Sequence, residues 1–161
     1  MASGDVKMPR PVYVIFANSG SIDQTSNMVS IFDVIEIVNV FKKVSDSTSY
    51  LIPQKTNRIT AVWMRETVDK VADKFQGQLA CVDPENAELF VSEVIEFSFE
   101  FPFYRFASQV FLVGFNTLGT HLIEARLRRA GEEGWTWRQT FPFIVQEGIL
   151  PSTIPTEAPP G

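Results

Sequence analysis

The chain reads as an all-β protein, an antiparallel β-sandwich of about eight strands of the immunoglobulin/C2-like kind with little helix. Three observations predict this. Between Leu89 and Phe101 the residues L-F-V-S-E-V-I-E-F-S-F-E-F place Leu89, Val91, Ile95, Phe97, Phe99 and Phe101 on one parity and Ser92, Glu96, Ser98 and Glu100 on the other. A period of two is the strand period, so one side of this segment should be dry and the other mostly wet. Similar β-rich runs recur along the chain, separated by turn signals at the spacing of short strands. Only one segment has helical spacing.

In order, Pro11–Ala17 (P-V-Y-V-I-F-A) is the first strand, and N-S-G-S-I-D-Q-T-S-N after it has the composition of a loop, which predicts a hairpin. Met28–Val40 is apolar on both parities, as in a central strand covered on both faces or a strand whose parity is switched by a β-bulge. Asp33 and Glu36 within it are expected at strand ends or facing solvent. Phe41–Gln54 is a longer polar loop closed by Pro53. Arg58–Glu66 resumes as a strand, and Val68, Val71, Ala72 and Phe75 then give the one helical spacing. Gln76–Val82 is a strand followed by D-P-E-N at 83–86, a strong turn with Asp first and Pro second.

After the Leu89–Phe101 segment, Pro102 interrupts the pattern and Gln109–Phe115 forms a further strand. N-T-L-G-T turns the chain, and His121–Arg129 pairs with Trp135–Gln146 across a loop at Ala130–Gly134. That loop predicts a register in which Leu127 opposes Trp137, Ile123 opposes Phe141 and His121 opposes Phe143. One face is then a ladder of apolar pairs that places Trp137 in the core; the other carries Glu124, Arg126 and Arg128 against Thr140, Arg138 and Thr136.

Length and composition support one domain. With 161 residues, 45% hydrophobic and 20% charged, the chain can bury a core without staples. We read residues 1–10 as an N-terminal arm, 11–147 as the sandwich and 148–161 as a Pro-rich flexible tail. A net charge of -5 argues against general nucleic-acid affinity, which needs a basic footprint. Cys81 is the only cysteine, so no intramolecular disulfide can form. The first residues lack a signal-like apolar run, Ala2 does not fit myristoylation, and no stretch is long and apolar enough to span a bilayer, so a cytoplasmic location is expected.

Several motifs together resemble a known group: S-I-F-D-V-I at 30–35, D-P at 83–84, and L-G-T-H-L-I-E-A-R-L at 118–127 before the closing F-P-F-I-V. The region from Pro11 to Val145 resembles a family of small bacterial β-sandwich domains of unknown function. That resemblance implies the fold and supplies no activity. The family commonly has Gly-x-Tyr before its penultimate strand; here the residues are Gly119, Thr120 and His121.

No catalytic or metal-binding constellation is legible, and we expect neither an enzyme nor a cofactor. His121 is the single histidine and lies on the inward parity with Ile123, Ala125 and Leu127, which suits a hydrogen-bonded core residue. Cys81 reads as a small buried apolar residue. Asp46, Asp69, Asp73, Asp83 and Glu85 lack the ligand spacing of a calcium loop, and no glycine-rich phosphate loop precedes a helix. Trp135 and Trp137 could serve as a sugar platform, although Arg129 opposite Trp135 offers a cation–π account.

The favoured function is a non-catalytic interaction module acting through protein contacts, a partner's or a second copy's. Its candidate binding residues are Phe90 and Val94, apolar on the nominally wet parity, together with Trp135 and the basic cluster Arg126, Arg128 and Arg138. The alternative is a ligand-binding sandwich for carbohydrate, or for calcium and lipid headgroups.

Overall fold

A computed structural model describes residues 8–22, 29–42, 50–51, 57–65, 73–110 and 115–148. Among them there are eleven strands and no helix: β1 (Arg10–Ile22), β2 (Val29–Val34), β3 (Ile37–Lys42), β4 (Tyr50–Leu51), β5 (Asn57–Met64), β6 (Lys74–Val82), β7 (Glu88–Val91), β8 (Ile95–Ser98), β9 (Phe103–Val110), β10 (Gly119–Arg129) and β11 (Trp137–Glu147). They form two sheets. The four-stranded sheet has the order β2-β1-β5-β9, and the seven-stranded sheet runs β4-β3-β11-β10-β6-β7 with β8 also on β6. Among the described residues no helix is long and apolar enough to cross a membrane.

The core lies between the sheets, consistent with a β-sandwich. Val14 and Phe16 of β1 and Ile59, Ala61 and Trp63 of β5 meet Leu79 and Cys81 of β6, Ile123, Ala125 and Leu127 of β10 and Phe143 and Val145 of β11. The Phe16 and Phe143 rings, one from each sheet, are 5.1 Å apart. Each alternates with a residue on the opposite face of its strand, which is how a period-two sequence builds a two-layer core.

The closing hairpin has the expected register. Leu127 faces Trp137, Ile123 faces Phe141 and His121 faces Phe143. The D-P-E-N turn also forms as expected: Asn86 N–H donates to the Asp83 carbonyl, and the Asp83 carboxylate accepts from the backbone N–H groups of Glu85 and Ala87. Asn86 takes φ 66°, the left-handed conformation that Asn tolerates.

Four expectations need correction. The β1–β2 hairpin exists, but β1 runs on through the expected loop residues to Ile22 and pairs Ser19 with Phe32 and Gly20 with Ile31. Met28–Val40 is neither one central strand nor a simple bulge. It is β2 in one sheet and β3 in the other, separated at Ile35–Glu36, where Ile35 N–H donates to Phe16 O and Ile144 N–H donates to Glu36 O. The change of sheets does not bury the segment on both faces: Phe32, Val34 and Ile37 are exposed, and Val40 alone of residues 29–40 is fully buried, because β2 is an edge strand. The sheets are not wholly antiparallel either, since β3 pairs parallel with β11. Finally, β9 begins at Phe103, ahead of the strand expected at Gln109–Phe115, of which residues 111–114 lie outside the described residues.

The Leu89–Phe101 segment is likewise two strands on one edge of β6. Phe90 opposes Cys81 and Phe97 opposes Phe75, both toward the core. Seven positions separate them, an odd interval that a regular strand would put on opposite faces. The bulge at Ser92–Val94 restores the phase: Ser92 N–H donates to Leu79 O, and the Ser92 hydroxyl accepts from Leu79 N–H. Val91 is consequently exposed, not dry. Of the helical spacing at 67–75, residues 67–72 lie outside the described residues, while Lys74 and Phe75 open β6. The tail beyond Gly148 lies outside them too.

Candidate functional site

Among the described residues, the two most exposed aromatic side chains stand together where the chain leaves one sheet for the other. After β8, Phe99 still points into the core, but Phe101 is 71% exposed and Phe103 is 54% exposed. Pro102 between them has no N–H to give to a ladder, so pairing stops and the chain bends into β9. Arg65 holds the corner: its backbone N–H donates to Pro102 O at 2.8 Å, and its guanidinium donates to Phe99 O at 3.1 Å.

Beneath the corner is a packed aromatic base. Tyr104 stacks on Phe97 with ring centroids 3.7 Å apart, and Trp63 lies 5.7 Å from Phe97. Phe75 and Phe99 close this cluster from the β6 side. Burial pushes the Tyr104 phenol above its ordinary pKa, so it stays neutral at physiological pH. Phe97, Ser98, Glu100, Phe101, Phe103 and Tyr104 line a cavity of about 400 Å³. Nearby, Lys74 and Glu96 form an ion pair at 2.8 Å; their hydrogen bond raises the Lys74 pKa and lowers that of Glu96.

The residues singled out from the sequence do not gather at one place. Phe90 packs against the core, because the bulge reverses the parity that had assigned it to the wet face. Val94 is 42% exposed within the bulge itself. Arg126 is buried between carboxylates, 2.7 Å from both Glu88 and Glu124. Burial opposes its charge, but these hydrogen bonds overcome that and raise its pKa overall. Arg138 reaches the same Glu124 at 3.9 Å. Arg126 and Arg138 thus share a neutralising acid, and Arg126 does not form an open basic patch. Arg128 donates to Gln76 and covers the Trp135 ring at 4.5 Å, so the cation–π partner is Arg128 in place of Arg129, and one face of Trp135 is taken. Trp137 keeps its expected register but is 44% exposed, not core, because it sits at the very start of β11.

Other expected groups are also placed. His121 is fully buried, with the Phe115 and Phe143 rings 4.9 and 5.4 Å away. Its Nδ1 lies 3.1 Å from Gly119 O, and a carbonyl only accepts, so Nδ1 carries the proton. Nε2 is then a buried acceptor with no hydrogen-bond partner among the described residues. Cys81 is fully buried, and desolvation with Asp83 nearby pushes its thiol up to about 12, which leaves no thiolate. Asp83 is committed to backbone N–H groups and the Thr117 hydroxyl. No group of three metal-ligating side chains occurs among the described residues; Asp46 and Asp69 lie outside them.

The Phe101–Phe103 corner was not singled out by sequence reading. Its signal was present in F-E-F-P-F, where a proline ends an alternating strand and leaves aromatic residues on both sides of the break. Neither a protein-family model nor a curated protein matches the chain.

Proposed function

We propose that the chain is a non-catalytic β-sandwich module of the immunoglobulin/C2-like kind, and that it acts through protein contacts at the Phe101–Pro102–Phe103 corner. One observation carries this reading: two large aromatic side chains are held out in solvent on a bend that Arg65 pins at two backbone carbonyls. Leaving apolar area of this size in water is unfavourable by about 25 cal/mol per Å², and a partner that covers it recovers that free energy. The pinned bend also limits the ordering cost of association. Aromatic anchors over a small cavity are the usual centre of a protein contact.

The test uses the full chain with a photo-crosslinking phenylalanine analogue at position 101. A discrete protein adduct, or a dimer of the chain seen also by light scattering, is expected. Phe103→Ser should cut its yield at least several-fold while leaving the unfolding midpoint close to wild type. An adduct pattern identical to that of a probe at Thr140 would defeat the proposal.

A further inference from the structure

The cavity at this corner has a chemistry that narrows the partner. Its walls are aromatic, from Phe97, Phe101, Phe103 and Tyr104, and its charged lining residue is Glu100. Glu100 is exposed and makes no ion pair or hydrogen bond with any described residue, whereas neighbouring Glu96 is already bound to Lys74. The corner's own cation, Arg65, is committed to the Phe99 carbonyl. The site therefore offers apolar ring surface and one unneutralised carboxylate, on a chain whose net charge is -5.

Lysine and arginine match both properties. Their alkyl stems bury well against rings, and their charged heads are attracted both to aromatic faces and to a carboxylate. A volume of about 400 Å³ exceeds what one such side chain needs, so a neighbouring partner residue also fits. An acidic segment would meet Glu100 as a like charge, and a purely apolar one would desolvate it without compensation.

We infer that this cavity receives a Lys or Arg side chain from a basic, extended segment of the protein partner, with the stem against Phe101, Phe103 and Tyr104 and the cation at Glu100. The inference rests on the corner being a protein contact and adds the partner's chemistry.

Titration of the isotopically labelled full chain with short alternating Ser–Lys, Ser–Gln and Ser–Glu peptides, followed by amide chemical shifts, tests it. The Ser–Lys peptide should bind and shift resonances around Phe97–Tyr104, with Ser–Gln and Ser–Glu silent. Glu100→Gln should weaken it about fivefold, Glu100→Lys should abolish it, and Glu85→Gln, a charge-matched control in the turn at the other end of β6, should leave it unchanged. Equal binding of the three peptides, equal loss from E85Q and E100Q, or silence of all three overturns the inference. Vesicles of phosphatidylcholine with phosphatidylserine give a result of opposite sign: cosedimentation that needs Phe101 and rises with E100K would assign the corner to an anionic membrane and overturn it too. If the position-101 crosslink persists while E100Q and E100K leave it unchanged, the protein contact stands and only the basic partner falls.

Discussion

His121 shows how a single side chain records its surroundings. It is enclosed by Phe115 and Phe143, donates its one ring N–H to Gly119 O, and leaves Nε2 with no partner among the described residues. Desolvation lowers its pKa from 6.5, more strongly than the Gly119 bond and the Asp83 carboxylate raise it. A histidine depressed in the folded state binds fewer protons than in the unfolded chain once the pH falls below about 6.5. Its contribution is therefore fully present above that pH and is lost as the pH drops toward the folded value. Urea unfolding between pH 5 and 8 should show stability falling on the acid side, and His121→Phe should flatten that part of the curve. Parallel curves for the two proteins would refute this origin. The inward parity of His121 was legible in the sequence. The surroundings of Nε2 were not, since they depend on Phe115 and Phe143, which two other segments bring to it.

At the scale of elements, the bulge between β7 and β8 decides most about the aromatic edge. Regular alternation assigned Phe90 to the wet face and Val91 to the dry one. One extra residue exchanges these roles and keeps Phe97 opposite Phe75. Ser92 holds the bulge, because its hydroxyl accepts from the Leu79 N–H and donates a hydrogen bond to Glu93 O. Ser92→Ala leaves the Leu79 N–H without that acceptor and should cost about 1–3 kcal/mol in urea unfolding. Faster hydrogen exchange at Leu79 should accompany the loss; an unchanged rate would show that the hydroxyl is dispensable. The sequence carried no marker for the bulge, as Ser, Glu and Val are all acceptable in a continuous strand. The turn at Asp83–Asn86 and the β10–β11 register were legible because their specification is local, in a D-P pair and a short loop.

Over the whole molecule, the chain passes between the sheets five times; the two connections that lie wholly within the described residues are Ile35–Glu36 between β2 and β3 and Phe99–Pro102 between β8 and β9. The Phe16–Phe143 contact lies between the sheets in the core they share. Phe16→Ala should destabilise by about 3–5 kcal/mol through lost burial and the cavity left behind. Because one core serves both layers, amide exchange should accelerate together in β5 and β10. Acceleration confined to β5 would mean that the sheets unfold separately.

Alternation, turn residues and composition determined by themselves that the chain is all-β, where several strands lie, how the last hairpin is registered, and that His121 and Cys81 face inward. These are local consequences of side-chain period and turn geometry, which a single stretch of chain expresses without help. Only the tertiary structure decided that residues 29–40 divide between two sheets, that β3 runs parallel to β11, where Asn39 and Gln146 bond across 107 positions, and that Arg126 is enclosed by Glu88 and Glu124. It also decided that Phe101, on the same parity as buried Phe97 and Phe99, stands in solvent. The physical reason is common to all of these: parity says which residues share a face, but whether that face is covered depends on where the strand ends and on what distant segments pack against it.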